Sequence, residues 1–278
     1  VAKPAGPTSH DVVDIVRRAL GEQRVGHLGT LDPFAKGLLV VVVGRATRLA
    51  SFAAEWPKTY EGVIRLGVTT DTDDATGAVI AKARWTGITP GQLADVIASF
   101  RGGYEQRPPA YSAVKIDGER AYKLARRGEA VLPPSRQVEI RELEIVEAAV
   151  PDLKFRATVS GGTYVRSLAR DIGAALGCGA HLAALQRTAV GPLRLAEAVA
   201  PEAVTKADVR DAALLVAHLP RREVDGAERD AVLHGRPIAA TAISAGGDPI
   251  AIFQGPELLA VAERVGDLLK PRVVVTGE

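Results

Sequence analysis

Asp32 is the one carboxylate in the run Gly26-His27-Leu28-Gly29-Thr30-Leu31-Asp32-Pro33-Phe34-Ala35-Lys36-Gly37. Pro33 steers Asp32 away from helical backbone toward extended or turn geometry. Gly26 and Gly29 permit tight turning just before it. A carboxylate on a stiff turn that leads into the core is a good mount for a reactive group; the same spacing also suits a plain turn residue. A second acidic group, Asp71, Asp73 and Asp74, has the residue types that hold Mg²⁺ or Ca²⁺. The Ca²⁺-loop pattern, however, needs Gly where Thr76 stands, with Gly77 one place late. An Asp-x-Asp phosphatase needs a buried strand before Asp71, for which Leu66-Gly67-Val68-Thr69-Thr70 is poorly suited. The five His and single Cys178 show no metal-ligand spacing. No Gly-x-x-x-x-Gly-Lys-Ser/Thr loop occurs, and Gly177-x-Gly179 does not extend to a dinucleotide-binding motif.

The 278 residues suit one large or two modest domains, and 47% hydrophobic against 24% charged residues supplies ample core. Aromatics are only 4%, so a base-stacking surface must be sparse. One Cys excludes an internal disulfide and fits a reducing cytoplasm. No apolar run reaches the roughly 20 residues of a membrane helix, and no signal sequence opens the chain. The chain contains no Met, so it reads as beginning inside a native sequence, a few residues short. The formal charge of +2 is unevenly spread. Lys115 to Arg127 carries five cations against two anions, with Tyr122 among them. Arg166, Arg170 and Arg187 form another basic region. Such patches suit phosphates or a solvated, salt-bridged surface.

A helix is predicted from Ser9 to Leu20, capped by Ser9 and ended by Gly21. Leu38 to Val43 reads as a buried strand, and Lys58 to Gly67 as a strand with Tyr60, Gly62, Ile64 and Leu66 on one face. Thr89-Pro90-Gly91-Gln92 is a capping-box helix start, and Asp117-Gly118 a hairpin turn. Arg120 to Arg127 reads as a short helix ended by Gly128. Strands are expected over Val138–Ala149 and Leu153–Ser160. A helix follows over Thr163–Leu176, with Val165, Leu168, Ala169, Ile172 and Leu176 buried. Leu185 reads as an apolar helix residue. In the tail, a helix is expected around Lys206–His218. Strand-like pieces follow at Ile238–Ile243, Pro249–Gln254 and Arg272–Val275, separated by Gly246-Gly247 and Gly255-Pro256. Helix and strand mix without βαβ alternation, which favours α+β.

Several of these segments together resemble the TruB family of tRNA pseudouridine synthases. The Asp32 run is similar to the family's active-site motif. Lys58-Thr59-Tyr60-Glu61-Gly62-Val63-Ile64-Arg65-Leu66-Gly67 and Gly161-Gly162-Thr163-Tyr164-Val165-Arg166-Ser167-Leu168-Ala169-Arg170-Asp171-Ile172-Gly173 match further motifs in the family's order. Lys3-Pro4-Ala5-Gly6-Pro7-Thr8-Ser9-His10-Asp11 resembles the N-terminal motif, with Ala2 where the family usually has an acidic or amide residue. Gly177-Cys178-Gly179-Ala180-His181-Leu182-Ala183-Ala184-Leu185-Gln186-Arg187 resembles another.

The resemblance implies a pseudouridine synthase fold: a central mixed, largely antiparallel sheet flanked by helices over 1–214, and a small β-rich PUA-like RNA-binding domain over 215–278. It implies isomerisation of uridine 55 in the tRNA T loop, by base flipping, in the cytoplasm, by a monomer with no cofactor and no metal. By position, Asp32 is implied as nucleophile, Tyr60 as the stacking ring, and Arg166 as the partner of Asp32. Leu185 lines the uracil pocket, His27 enters the T loop, and Asp74 and Lys3 complete the substrate-binding positions. A carboxylate nucleophile must be ionised, which a neighbouring Arg favours. Extruding a base costs stacking, of which an aromatic face recovers about 1–3 kcal/mol. Whether Asp32 attacks C6, attacks C1′ or drives elimination to a glycal stays open, as does the second proton carrier. Two other readings remain: a tRNA-binding folding factor (an RNA chaperone) with secondary or no catalysis, and a metal hydrolase on Asp71–Asp74.

Overall fold

A computed structural model describes residues 1–129, 131–241, 243 and 247–275. The chain divides into two compact units. The first comprises Val1–Asp11, Gly29–Val40 and Glu55–Ala200; the second comprises Val12–Leu28, Val41–Ala54 and Pro201–Glu278.

The first unit is built on one mixed sheet. Its strands are β1 (Ala2–Lys3), β2 (Lys36–Leu38), β3 (Lys58–Leu66), β4 (Gly102–Gln106), β5 (Arg136–Ala149), β6 (Asp152–Val159), β7 (Ala180–Val190) and β8 (Leu193–Arg194). They lie in the order β1-β2-β7-β3-β6-β5-β4, with β8 added to β7. Only β2 and β7 pair in parallel; the sheet is otherwise antiparallel. The alternation expected in β3 holds: Tyr60, Ile64 and Leu66 are buried and Arg65 is exposed. On β5 and β6, Ile140, Leu143, Leu153, Phe155, Ala157 and Val159 are buried in the same way.

Helix α4 (Val165–Ala175) packs on β7, burying Leu168, Ala169 and Ile172 as their spacing predicts. Helix α2 (Pro90–Ser99) opens with the expected capping box, Thr89 accepting from the Gln92 backbone. The Asp117-Gly118 pair, both at positive φ, turns a two-stranded hairpin into α3 (Ala121–Arg126). Gly37 is required where β2 meets β7: its φ is +114°, and a Cβ would lie 2.3 Å from the Arg187 carbonyl.

Four expectations change. The run Leu38–Val43 is two strands, because Lys36–Leu38 pairs with β1 while Val40–Val43 pairs with Val25–Leu28. Leu185 lies on a strand, not a helix: β7 is an interior strand, so its apolar residues follow no single helical face. Helix α1 (Ser9–Leu20) is capped by Thr8 rather than Ser9. The Thr8 hydroxyl accepts from the Asp11 backbone at 3.1 Å, and the Asp11 carboxylate accepts from the Thr8 backbone at 2.8 Å. The expected helix at Lys206–His218 is two 3₁₀ turns, Lys206–Asp208 and Ala212–Val216. The carboxylates of Asp208 and Asp211 each take a nearby backbone N–H and restart the chain there.

In the second unit a five-stranded sheet joins Arg221–Glu223, Ile250–Gln254, Glu257–Val265, Leu268–Val274 and Ile238–Ala239 in that order. With α5 (Gly226–Leu233) it encloses Val224, Val232, Ile252, Leu259 and Leu269. The strand Glu257–Val265 has no counterpart in the sequence reading. Of the strand expected at Ile238–Ile243, residue 242 lies outside the described residues, as does Gly246 of the Gly246-Gly247 break. The observed architecture is the expected α+β one. Among the described residues, no helix is long and apolar enough to cross a membrane.

Candidate active site

Asp32 and Arg166, 134 residues apart, meet in a two-bond fork. Arg166 donates from Nε to Asp32 Oδ2 at 2.8 Å and from Nη2 to Oδ1 at 3.1 Å. The Arg166 side chain is only 6% exposed, whereas that of Asp32 is 32% exposed. The cation is therefore part of the frame, and the carboxylate faces outward. The position of Arg166 in the first turn of α4 suited a solvated arginine as well, and the structure removes that alternative. Two further N–H groups hold backbone, Nη1 donating to the Thr72 carbonyl at 2.9 Å and Nη2 to the Tyr111 carbonyl at 3.1 Å. Bidentate guanidinium–carboxylate pairs fix orientation as well as charge.

Asp74 comes to the same place. It is buried, with a carboxylate oxygen 3.6 Å from Arg166 Nε. The Thr72 and Thr76 hydroxyls and the Thr76 backbone hold it. Its neighbours are turned elsewhere. Asp73 pairs with Arg170 at 2.9 Å, and Asp71 accepts from the Ala78 backbone. Burial pushes the Asp73 carboxyl up, against the pull of Arg170 and Arg166. The three aspartates thus serve three different partners. Among the described residues, no group of three His, Cys, Asp or Glu side chains gathers as a metal site.

The loop that carries Asp32 is pinned along its backbone. Gly29 turns into it at a φ of +68°. Arg187 holds both of its ends, donating from Nη2 to the Gly29 carbonyl at 3.0 Å and from Nε to the Leu38 carbonyl at 2.8 Å. Ser9 exchanges two hydrogen bonds with Leu31. Lys3 donates to the carbonyls of Pro33 and Ala35 at 3.3 and 2.7 Å, and to that of Pro4 at 2.9 Å. Lys3 is 1% exposed, so the structure places it beneath the loop, with its ammonium on backbone oxygens, rather than facing a substrate. Burial lowers the Lys3 pKa, although the Asp32 charge opposes that.

Tyr60 is buried on β3 directly opposite Arg187 of β7, whose guanidinium lies 6.0 Å from the ring centre. Leu185 is opposite Gly62. It helps to line a cleft of about 460 Å³ with Phe34, two residues past Asp32, and Ala75, next to Asp74. Asp32, Tyr60 and Arg166 do not line that cleft. His27 falls in the second unit, on Val25–Leu28.

Sequence reasoning gave no site role to Lys58, Ser9 or Arg187; the bonds of Ser9 and Arg187 are long-range contacts. Lys58 donates to the Trp56 carbonyl at 2.8 Å. Burial first, then the Arg187 charge, lowers its pKa to about 8, against the pull of Glu55. The unfolded chain therefore holds a proton on Lys58 that the folded chain has lost between about pH 8 and the ordinary 10.5. Stability contributed by this group rises with pH across that window and is flat below it. Lys58→Met is expected to remove that rise, read as urea midpoints of the two proteins from pH 7 to 10; equal slopes would count against it.

The comparisons converge on one class. A family model described as TruB family pseudouridylate synthase (N terminal domain) matches residues 17–165. One described as tRNA pseudouridylate synthase B C-terminal domain matches 166–229. The protein named tRNA pseudouridine synthase B from Azoarcus sp. (strain BH72) is 41% identical over 280 residues, 98% of this chain and 92% of its own length. Its namesake from Mycobacterium sp. (strain KMS) is 44% identical over 252 residues, 87% of this chain and 84% of its own. Among solved structures, one titled "Crystal Structure of a Cbf5-Nop10-Gar1 Complex" matches with TM-score 0.75 and 27% identity, covering 99% of this chain and 83% of that one. Another, of an H/ACA RNP bound to a substrate RNA containing 2'-deoxyuridine, matches with TM-score 0.75, 25% identity and coverage of 99% and 84%. The mixed sheet with its appended β-rich unit is the fold of a pseudouridine synthase, an isomerase. The chain belongs to the TruB family of pseudouridylate synthases.

Proposed function

We propose that the chain converts uridine to pseudouridine at position 55 in the T loop of tRNA, with Asp32 as nucleophile. The observation that carries the reading is the outward-facing Asp32 carboxylate held in the Arg166 fork. The name shared by the relatives, tRNA pseudouridine synthase B, supports the substrate. In the reaction the N1–C1′ bond breaks, the C5–C1′ bond forms, a proton leaves C5, and N1 gains one. No electrons are exchanged with a partner, so the chemistry runs without a redox cofactor.

Arg166 orients the carboxylate from a buried, rigid element, Tyr60 supports the extruded base, and Leu185 supplies an apolar wall that excludes water. Asp74 sets a second carboxylate 3.6 Å from the same Arg166 Nε and helps to hold the guanidinium charge. The exposed Lys115, Arg120, Lys123 and Arg126 lie on the hairpin and α3 and contact the tRNA backbone. Residues 1–214 form the catalytic domain and 215–278 a PUA-like RNA-binding domain, whose exposed Arg264 and Lys270 add cations. In this reading the protein acts in the cytoplasm as a monomer.

The test is to incubate the protein, with EDTA present, with unmodified tRNA transcript and map pseudouridine at every nucleotide. Product at the T-loop uridine alone is expected, and product elsewhere would contradict the assignment. Affinity for tRNA is expected to fall steeply between 50 and 200 mM salt (roughly the range where phosphate-binding proteins release counterions), and a salt-independent affinity would contradict phosphate contacts. Full activity in EDTA also disposes of a metal hydrolase.

A further inference from the structure

Ser9 stands at the start of α1 but does not cap it, because Thr8 does. Its side chain is spent elsewhere. The Ser9 hydroxyl donates to the Leu31 carbonyl at 2.9 Å and accepts from the Leu31 N–H at 2.9 Å. Both residues are buried, each 2% exposed. One hydroxyl thus satisfies both backbone groups of the residue before Asp32. The Leu31 carbonyl belongs to the peptide plane that carries the Asp32 nitrogen, so fixing it fixes where the Asp32 Cα begins. Beyond Asp32, its own carbonyl accepts from the Ala35 N–H at 3.1 Å, closing a turn. The Pro33 carbonyl accepts from the Gly6 N–H at 2.8 Å and from Lys3.

Holding Leu31 from a neighbouring segment is a way of aiming the next residue. Among the described residues no other hydrogen bond reaches the Leu31 N–H or carbonyl, so without the hydroxyl both are buried and unpaired. Such groups recover partners by rotating the peptide, and the rotation moves the carboxylate off the Arg166 fork.

We infer that Ser9 is a positioning residue of the isomerisation, setting the direction of the Asp32 carboxylate through the Leu31–Asp32 peptide plane. The inference rests on the reading of Asp32 as nucleophile. It assigns Ser9 no contact with substrate.

Ser9→Ala removes both bonds with little change in volume. Misplacement of a reacting group by about 1 Å costs about 10²-fold in rate. A fall of about 10- to 100-fold is therefore expected in the single-turnover rate at saturating tRNA, with the tRNA Kd within about threefold of the unsubstituted protein. Ser9→Thr restores a hydroxyl and is expected to recover the rate to within about threefold. A merely structural serine would lower rate and binding together, in step with the folded fraction seen by circular dichroism, and that result overturns the inference. So does an unchanged rate in folded Ser9→Ala. If Ser9→Ala does not fold, the near-isosteric Ser9→Cys, with its weakly bonding thiol, is read by the same criteria. Asp32→Asn runs alongside: product from that variant would sink the nucleophile reading itself, whereas an inactive Asp32→Asn beside a fully active Ser9→Ala would sink only the role of Ser9.

Discussion

Asp32→Asn is expected to abolish pseudouridine formation, by at least about 10³-fold in single-turnover rate, while tRNA stays bound. The amide has the shape of the carboxylate and keeps an oxygen for Arg166 to donate to, but it is not a nucleophile. The fold should tolerate it. The Asp32 side chain is partly exposed, and Arg166 keeps the Thr72 and Tyr111 carbonyls and the nearby Asp74. Loss of product with retained binding separates an isomerase from a folding factor, because a factor that only opens and refolds tRNA has no use for the charge. A variant that binds tRNA and still makes product would remove Asp32 from the chemistry.

The second large effect is expected at Arg166→Lys. The substitution keeps a positive charge and loses the planar fork. An ammonium cannot place two parallel bonds on Asp32 while also reaching the Thr72 and Tyr111 carbonyls. Disturbing one partner of a buried, hydrogen-bonded charge pair costs about 2–5 kcal/mol. Single-turnover activity should therefore fall by about 10²–10³-fold, with a lower urea midpoint because two backbone carbonyls lose their donor. An Arg166→Lys protein with ordinary activity would show that the fork is packing rather than function.

The legible parts of the fold are those whose signals are local. The capping box at Thr89–Gln92, the Asp117-Gly118 turn and the β3 alternation each lie within a few residues, and each forms as the sequence indicates. Leu185 reads as helical in the sequence because an interior strand has no polar face to reveal its period. The Lys206–His218 segment reads as one helix but is not, because helical propensity there loses to Asp208 and Asp211, whose side chains compete for the backbone. The candidate site divides in the same way. Asp32, Tyr60 and Arg166 stand in motifs that can be matched residue by residue. The frame around them cannot be matched so, since Lys3, Ser9 and Arg187 act on Ala35, Leu31 and Gly29 from 32, 22 and 158 residues away. Nothing local distinguishes Ser9 from a helix cap, or Lys3 from a surface lysine, until those carbonyls are seen to point at them.

The most direct measurement uses tRNA transcript labelled with tritium at C5 of uridine, because forming the C5–C1′ bond must release that hydrogen. The intact protein is expected to release label equal to one uridine per tRNA, in step with pseudouridine at the T-loop position, and Asp32→Asn to release none. Release at the ordinary rate from Asp32→Asn, or tight tRNA binding with no release from the intact protein, would contradict the account.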